Sequence, residues 1–218
     1  YSGLKQGTYY PIGGFYQIVD ALVKMATEKG VKFSYNSEVS KINVSQGKVK
    51  SLEINNEIHA KDIVVAGADY HHVESKLLDV SYRNYKPPYW ESRKLAPSSL
   101  LFYLGLDKKL NNVSHHTLFF DQDFELHAQE IYESPKWPSN PLFYMSCPSV
   151  TDSTIAPKNM ENIMLLIPLA PGIEDSEQMR EKYFDVMLKR IKKLTGNDIS
   201  ENIVFKKSYC VSDFEKDY

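Results

Sequence analysis

Two tight turns lying close together, Gln46-Gly47 and Asn55-Asn56, constrain this chain more than any other feature. Residues 38–45 carry Val39, Ile42 and Val44 at apolar positions, though the alternation is imperfect. Residues 48–55 alternate through Val49, Leu52 and Ile54, and residues 57–60 follow the second turn. Turn residues that tolerate positive φ between such runs signal successive hairpins, so an antiparallel meander is expected here. On one side of it, residues 31–35 read as a short strand. On the other, Asp62-Ile-Val-Val-Ala66 reads as a fully buried strand, because its apolar run does not alternate. Before both, Pro11-Ile-Gly-Gly14 breaks the chain and opens a helix, with Phe15, Ile18, Val19, Leu22, Val23 and Ala26 spaced for one face. Gly30 is placed to stop that helix in left-handed conformation. Residues 15–66 therefore read helix, strand, meander, strand, which is half of a larger α/β unit.

The remainder has a different pattern. Residues 1–8 give no clear signal. Residues 69–97 look helical and then irregular, with Pro87-Pro88 as a stiff break. Residues 98–106, containing Leu100-Leu-Phe-Tyr-Leu104, predict a central strand. Thr117-Leu-Phe-Phe120, Leu142-Phe-Tyr-Met145 and Ile163-Met-Leu-Leu-Ile167 predict three more, and residues 203–209 are strand-like. Residues 176–194 predict a long amphipathic helix with Met179, Tyr183, Met187, Ile191 and Leu194 on one side and Gly196 as its stop. Glu174, Asp175 and Glu177 at its start, and Lys189-Arg190 and Lys192-Lys193 at its end, suit the helix dipole. The expected fold class is a mixture of α/β and α+β: a meander with buried strands, then a mostly antiparallel sheet with helices.

Several function classes are disfavoured. A formal net charge of -2 provides no global field for nucleic acid. No apolar run approaches the roughly 20 residues that span a bilayer, and no signal peptide is visible. Two distant cysteines, Cys147 and Cys210, suit a reduced intracellular protein with inert thiols. Because the chain starts at Tyr1 and ends at Tyr218 just past a strand, it is expected to be an excised piece of a longer protein.

Nucleotide-loop, nucleophile-elbow and metal-ligand motifs do not occur, and there is no Gly-x-Gly-x-x-Gly segment to grip a pyrophosphate. His115-His116 is the most attractive metal candidate, but adjacent strand residues point to opposite faces, so no metal site is expected. His71-His72 has the same weakness. Asp121 and Asp123 read as solvated loop carboxylates, the alternative being a shared strand face on which each would raise the other's pKa. The aromatic residues of the second sheet, Phe102, Tyr103, Phe119, Phe120, Phe143 and Tyr144, read as an ordinary core or as a sheet face lining a long apolar pocket, with Phe102, Phe119 and Phe143 as the pocket candidates.

At this point the motifs match a known family. Tyr10-Pro-Ile-Gly-Gly14, then a helix with Ala21-Leu22, then Gly30, resembles the Tyr-Pro-x-Gly-Gly segment of bacterial phytoene desaturases. Val39-Ser-Lys-Ile42, the meander and Asp62-Ile-Val-Val-Ala-Gly-Ala-Asp69 are similar to that family's second flavin-domain segment. Ser114-His-His-Thr-Leu-Phe-Phe120 and Cys147-Pro-Ser-Val-Thr-Asp-Ser-Thr-Ile-Ala-Pro157 resemble two further signatures, in order and at family-like spacing. The resemblance covers essentially the whole chain.

The resemblance implies an FAD-dependent oxidoreductase that desaturates carbon–carbon bonds of a carotenoid precursor such as phytoene, with the fold of the flavin amine oxidases. It implies residues 1–30 as a substrate-domain or linking helix, 31–69 as part of an FAD-binding domain, and 70–218 as the substrate-binding domain. Val39 would offer backbone to the adenine, and Gly13 and Gly14 would lie close to flavin and substrate. His115, His116 and Asp152 join the pocket candidates without an assigned role, and no catalytic residue is assigned. Asp152 before Ser153 also suits a turn or a cap. The family's amino-terminal glycine-rich unit and carboxy-terminal Pro-Gly-Gly segment are missing, and Gly67 stands where relatives often have Asn. FAD is therefore expected in the parent and absent from this piece, which would be inactive alone. The partner implied is a long apolar polyene, in a cytoplasmic protein with peripheral contact at the inner membrane. Rival readings are a related flavin oxidase acting on an amine or porphyrinogen, with an aromatic cage and polar entry, and a non-enzymatic apolar-ligand module with a closed cavity.

Overall fold

The structure, a computed structural model, describes residues 5, 7–93 and 96–217. The featureless start at residues 1–8, the irregular stretch around Lys94 and Leu95, and the last residue, Tyr218, fall partly or wholly outside them. The chain divides into two compact units, residues 25–94 and residues 1–24 with 95–218.

Helix α1 spans Tyr16–Glu28. The Gly14 N–H donates to the Pro11 carbonyl at 3.0 Å to start it, and Gly30, at φ 82°, ends it. Its apolar face forms as the spacing predicts, yet none of its residues is buried.

In the unit of residues 25–94, strands β1 (Val39–Ser45), β2 (Lys48–Ile54) and β3 (Glu57–Ala60) form an antiparallel meander in that order. Both connecting turns carry two consecutive residues of positive φ: Gln46 and Gly47, then Asn55 and Asn56. This backbone twist matches that of the flanking strands, as the sequence requires. Ile42 packs with Val73 and Leu77 as the buried centre, with Val39, Val44, Val49 and Leu52 around it. Val73 and Leu77 come from a π-helical turn, Val73–Leu77, that continues the short helix α2 (Tyr70–His72). Glu74 in that turn is buried and accepts from Tyr70 Oη, from Asn84 and from the Tyr85 N–H. Burial pushes its pKa up, but those hydrogen bonds outweigh it and hold the carboxyl below its ordinary value. Pro87-Pro88 opens helix α3 (Pro87–Glu91) rather than merely breaking the chain, since the first helical turn needs no proline N–H.

Two expected strands do not form. Residues 31–35 and 62–66 pair with no strand among the described residues. Ile63 is 82% exposed and Val65 91%, where burial on both faces was expected. An apolar run becomes a strand only when a neighbouring strand takes up its backbone N–H and C=O groups, and no described strand does so here.

The other unit holds β4 (Ser98–Leu106), β5 (His116–Phe119), α4 (Phe124–Tyr132), β6 (Phe143–Ser146), β7 (Glu161–Leu169), α5 (Glu177–Thr195), β8 (Ile203–Tyr209) and α6 (Val211–Asp217). The five strands form one antiparallel sheet in the order β5-β6-β7-β4-β8. Leu100, Phe102, Leu104, Leu106, Met145, Ile163, Leu165 and Ile167 join Tyr183, Phe184, Met187 and Ile191 of α5 in the main core. β7 alternates buried and half-buried residues along its whole length, so only one sheet face is covered by that core. α5 is capped by Ser176 Oγ, which accepts from the Met179 N–H, and by Gly196 at φ 76°. Leu194, expected on its buried side, is exposed in the last turn.

The long helix's basic residues do more than answer its dipole. Arg190 pairs with Asp121, donates to the Pro141 carbonyl and lies 4.9 Å from the centre of the Phe143 ring. Asp121 and Asp123 therefore share no strand face. The first is paired, and the second caps α4, a helix the sequence reading did not foresee, by accepting from the Leu126 N–H at 2.9 Å. Arg180 is buried beside Asp175, reaching it through Nε at 2.8 Å and Asp213 through Nη1 at 2.8 Å.

Candidate functional site

The sheet face that α5 does not cover is built by the alternation of the strands. Ladder pairing aligns His116 with Ser146, Ser146 with Met164, and Met164 with Tyr103 in one row. Leu118, Tyr144, Leu166 and Leu101 form the next row. Gly105 and Phe205 lie beyond the first row, paired across β4 and β8. A Cβ on Gly105 would come within 3.2 Å of Phe205 Cβ, so glycine lets that ring lie against the strand. The first row, Tyr144 of the second, and the Gly105–Phe205 pair line, with Tyr10 and Phe15, a hollow of about 590 Å³, open on one side. A smaller hollow of about 230 Å³ lies on the same face beneath α4, between Leu118, Phe124, Ile131, Leu166 and Pro168. Tyr144 borders both.

The motifs read from the sequence meet at one corner of the larger hollow. Asp152, only 2% exposed, accepts from the Gly13 N–H at 2.6 Å, although 139 residues separate them. Its other oxygen accepts from Thr154 N–H at 2.9 Å and Thr154 Oγ1 at 2.6 Å. Hydrogen bonds from Thr154 and then from the Gly13 N–H hold this carboxyl below its ordinary pKa. Asp152 is thus a turn residue, as its neighbour Ser153 suggested, and also the anchor of the Gly13-Gly14 turn. Both glycines stand at φ 90°, in the region L side chains rarely adopt, so their lack of a Cβ is a backbone requirement here.

Thr151, next to Asp152, carries the connection onward. His115 Nδ1 lies 2.9 Å from Thr151 Oγ1, and the His115 ring meets Tyr10 edge-on at 4.7 Å. Burial, then the adjacent His116, keeps the pKa of His115 below its ordinary value. The two imidazoles are 4.3 Å apart and both line the hollow, which differs from the expectation that they face opposite ways. The reason is local: His115 precedes β5, so strand alternation does not govern it. His116 Nδ1 lies 2.5 Å from Tyr144 Oη, with the rings near parallel. Among the described residues no group of three or more His, Cys, Asp or Glu is placed to hold a metal ion.

Phe102, Phe119 and Phe143 are in step with the core-facing residues of their strands and do not line the larger hollow, though Phe143 borders the smaller one. Phe102 is fully buried with its ring 4.6 Å from Phe184, and Phe119 stacks on Phe143 at 4.1 Å. Their neighbours in sequence, Tyr103 and Tyr144, take the open face instead. The available signal was strand parity: Phe102 is in step with Leu100, Leu104 and Leu106, Tyr103 with Gly105. Val39 lies in the other unit, at the start of β1 opposite Ile54. Cys147 and Cys210 are free and buried, and burial pushes their thiols up to about 11 and about 12.

Comparison with known proteins identifies the family. Residues 1–217 match the family model described as flavin containing amine oxidoreductase. A protein of Haloarcula japonica named carotenoid 3,4-desaturase is 36% identical over 97% of this chain, which covers 43% of that relative. A phytoene desaturase of Cercospora nicotianae is 32% identical over 84% of this chain and 30% of its own length. The crystal structure of an oxidoreductase from Methanosarcina mazei superposes with a TM-score of 0.65 at 18% identity, over 92% of this chain and 43% of that one. The chain thus spans less than half the length of these relatives. On this evidence of sequence and fold, the chain belongs to the flavin containing amine oxidoreductase family.

Proposed function

We propose that this chain forms the substrate-binding part of an FAD-dependent oxidoreductase that desaturates carbon–carbon bonds of a carotenoid precursor such as phytoene. The observation that carries the reading is the open sheet face, with its aromatic-lined hollow of about 590 Å³. Relatives named as carotenoid and phytoene desaturases support it. A hydrocarbon offers nothing to hydrogen bonds, so its affinity comes from burial, at about 0.8 kcal/mol per CH₂. An open face does not suit the closed cavity of a carrier. In the amine-oxidase reading the hollow would need a polar entry, whereas His115, His116 and Tyr144 already engage neighbouring groups.

FAD is the cofactor the family implies. The residues that would face it are the Gly13-Gly14 turn, held by Asp152, where Gly14 has only Tyr10 Oη within 4 Å of a Cβ position and Gly13 is flanked by Gln17. When bound, the flavin supplies the acceptor for a hydride equivalent. The chain's own residues hold the polyene along the sheet, fix its position relative to the glycine turn and keep water from it. We assign residues 31–69 to the flavin domain, with Val39 toward the adenine, and residues 1–30 and 70–218 to the substrate side. The sequence holds no Gly-x-Gly-x-x-Gly segment, so the 218 residues alone are expected to show no visible flavin band. No helix among the described residues is long and apolar enough to cross a membrane. A polyene dissolves in bilayers, so peripheral contact at the cytoplasmic face of the inner membrane completes the proposal.

A chimera tests it. This chain replaces the aligned segment of the Haloarcula japonica relative, and flavin content and carotenoid products are recorded. The expected result is a flavin band and a product with more conjugated double bonds. A chimera that takes up FAD and leaves every carotenoid precursor unchanged contradicts the proposal.

A further inference from the structure

The two hollows on the open face are neighbours along one strand. Asn162 and Met164 line the larger, and Leu166 and Pro168 the smaller, at successive same-face positions of β7. At about 3.4 Å per residue this mostly apolar strip runs for roughly 20 Å. Among the described residues Tyr144 alone borders both hollows, and its hydroxyl lies 2.5 Å from His116 Nδ1 across the β5–β6 ladder. That hydrogen bond favours the rotamer in which the ring stands between the two hollows.

We propose that the two hollows are consecutive stretches of one bed for a linear polyene, and that Tyr144, pinned by His116, is the stop that sets how far the polyene reaches. The idea rests on the polyene reading above and deepens it. A polyene halted at Tyr144 presents one stretch of its bonds for reaction, and one that passes it presents another. Tyr144 is then a specificity-determining residue, and His116 positions it.

The test uses the 218-residue chain and needs no flavin. Parinaric acid, a fluorescent linear tetraene, is bound and then displaced by straight-chain alcohols of increasing length. In the unaltered chain, affinity rises by about fourfold per added methylene until the larger hollow is filled, then levels off. In Tyr144→Ala the rise continues to longer alcohols, and in Tyr144→Phe and His116→Ala the limit moves part of the way. Leu22→Ser, on exposed α1, leaves the limit where it was. Should Tyr144→Ala fail to fold, Tyr144→Phe keeps the ring volume and still removes the bond to His116. The proposal is overturned if all variants level off at the same length, if the unaltered chain shows no limit, or if no alcohol displaces the probe. The chimera separates the two ideas: an active chimera with an unmoved limit sinks this proposal alone, and a moved limit with a chimera that leaves carotenoids unchanged sinks only the enzyme reading.

Discussion

Phe102 and Tyr103 are adjacent, similar in size and on opposite faces of the same strand, so truncating each tests which face is core and which is site. Phe102 is 0% exposed and rests on Phe184 of α5, whereas Tyr103 is 41% exposed and lines the hollow. Phe102→Ala loses the transfer energy of a buried ring and leaves a cavity that α5 and the sheet only partly close. For a fully buried phenylalanine this costs about 3–5 kcal/mol. At 2–4 °C per kcal/mol for a chain of this size, Tm should fall by roughly 6–20 °C. Tyr103→Ala removes a ring that solvent already reaches, so its cost is about 1 kcal/mol or less, with Tm down by roughly 2–4 °C. Ligand binding should reverse the order, with parinaric acid held more weakly by Tyr103→Ala and nearly unchanged in Phe102→Ala at temperatures where it is folded. Thermal unfolding by circular dichroism and fluorescence titration give both quantities. Equal losses of Tm in the two variants would refute the assignment of faces.

Acid should weaken the unit that holds α5. Hydrogen bonds from Arg180, partly offset by burial, lower the pKa of Asp175 from 3.8 to about 2. A depressed carboxyl contributes stability above its unfolded pKa and loses it as pH falls through the folded one, here from about pH 4 to about pH 2. The contribution is about 2 kcal/mol, and urea unfolding of Asp175→Asn should show less pH dependence in that window; an unchanged slope contradicts the pairing. Asp152→Ala should free the Gly13 amide, read as faster hydrogen exchange at Gly13 with β4–β8 amides unchanged. Equal protection in both proteins would show that the glycine turn is held by something else.

The elements legible in the sequence were those whose signals are local. The meander follows from two turns whose residues accept positive φ, and α5 from an apolar stripe with an acidic start, a basic end and a glycine stop. β4 and β8 lie where uninterrupted or strand-like runs put them. Residues 31–35 and 62–66 carried an equally clear apolar signal and formed no strand, because a strand is defined by partners elsewhere in the chain. Helix α4 was missed although Asp123 marks its start, since the short run after it mixes Glu, His and Gln with apolar residues. At the site, the motifs named the residues that converge on the glycine turn. They could not reveal that Asp152 reaches Gly13, a contact across 139 residues. Alternation likewise gave the period of each strand without saying which parity faces α5, so it could not separate Phe102 and Phe119, which line neither hollow, from Tyr103 and Tyr144, which line the larger one, or from Phe120 and Phe143, which border the smaller.

The central claim is that the open sheet face binds a long apolar chain, and other apolar surfaces compete for that role: α1 exposes Ile18 and Leu22, and residues 62–66 expose Ile63 and Val65. A photoactivatable linear polyene, crosslinked to the chain and mapped by mass spectrometry, decides among them. The account predicts labels on Tyr103, Tyr144, Met164 and Phe205, removed by competing parinaric acid. Labels confined to α1 or to residues 62–66, with the sheet face unmarked, would contradict it.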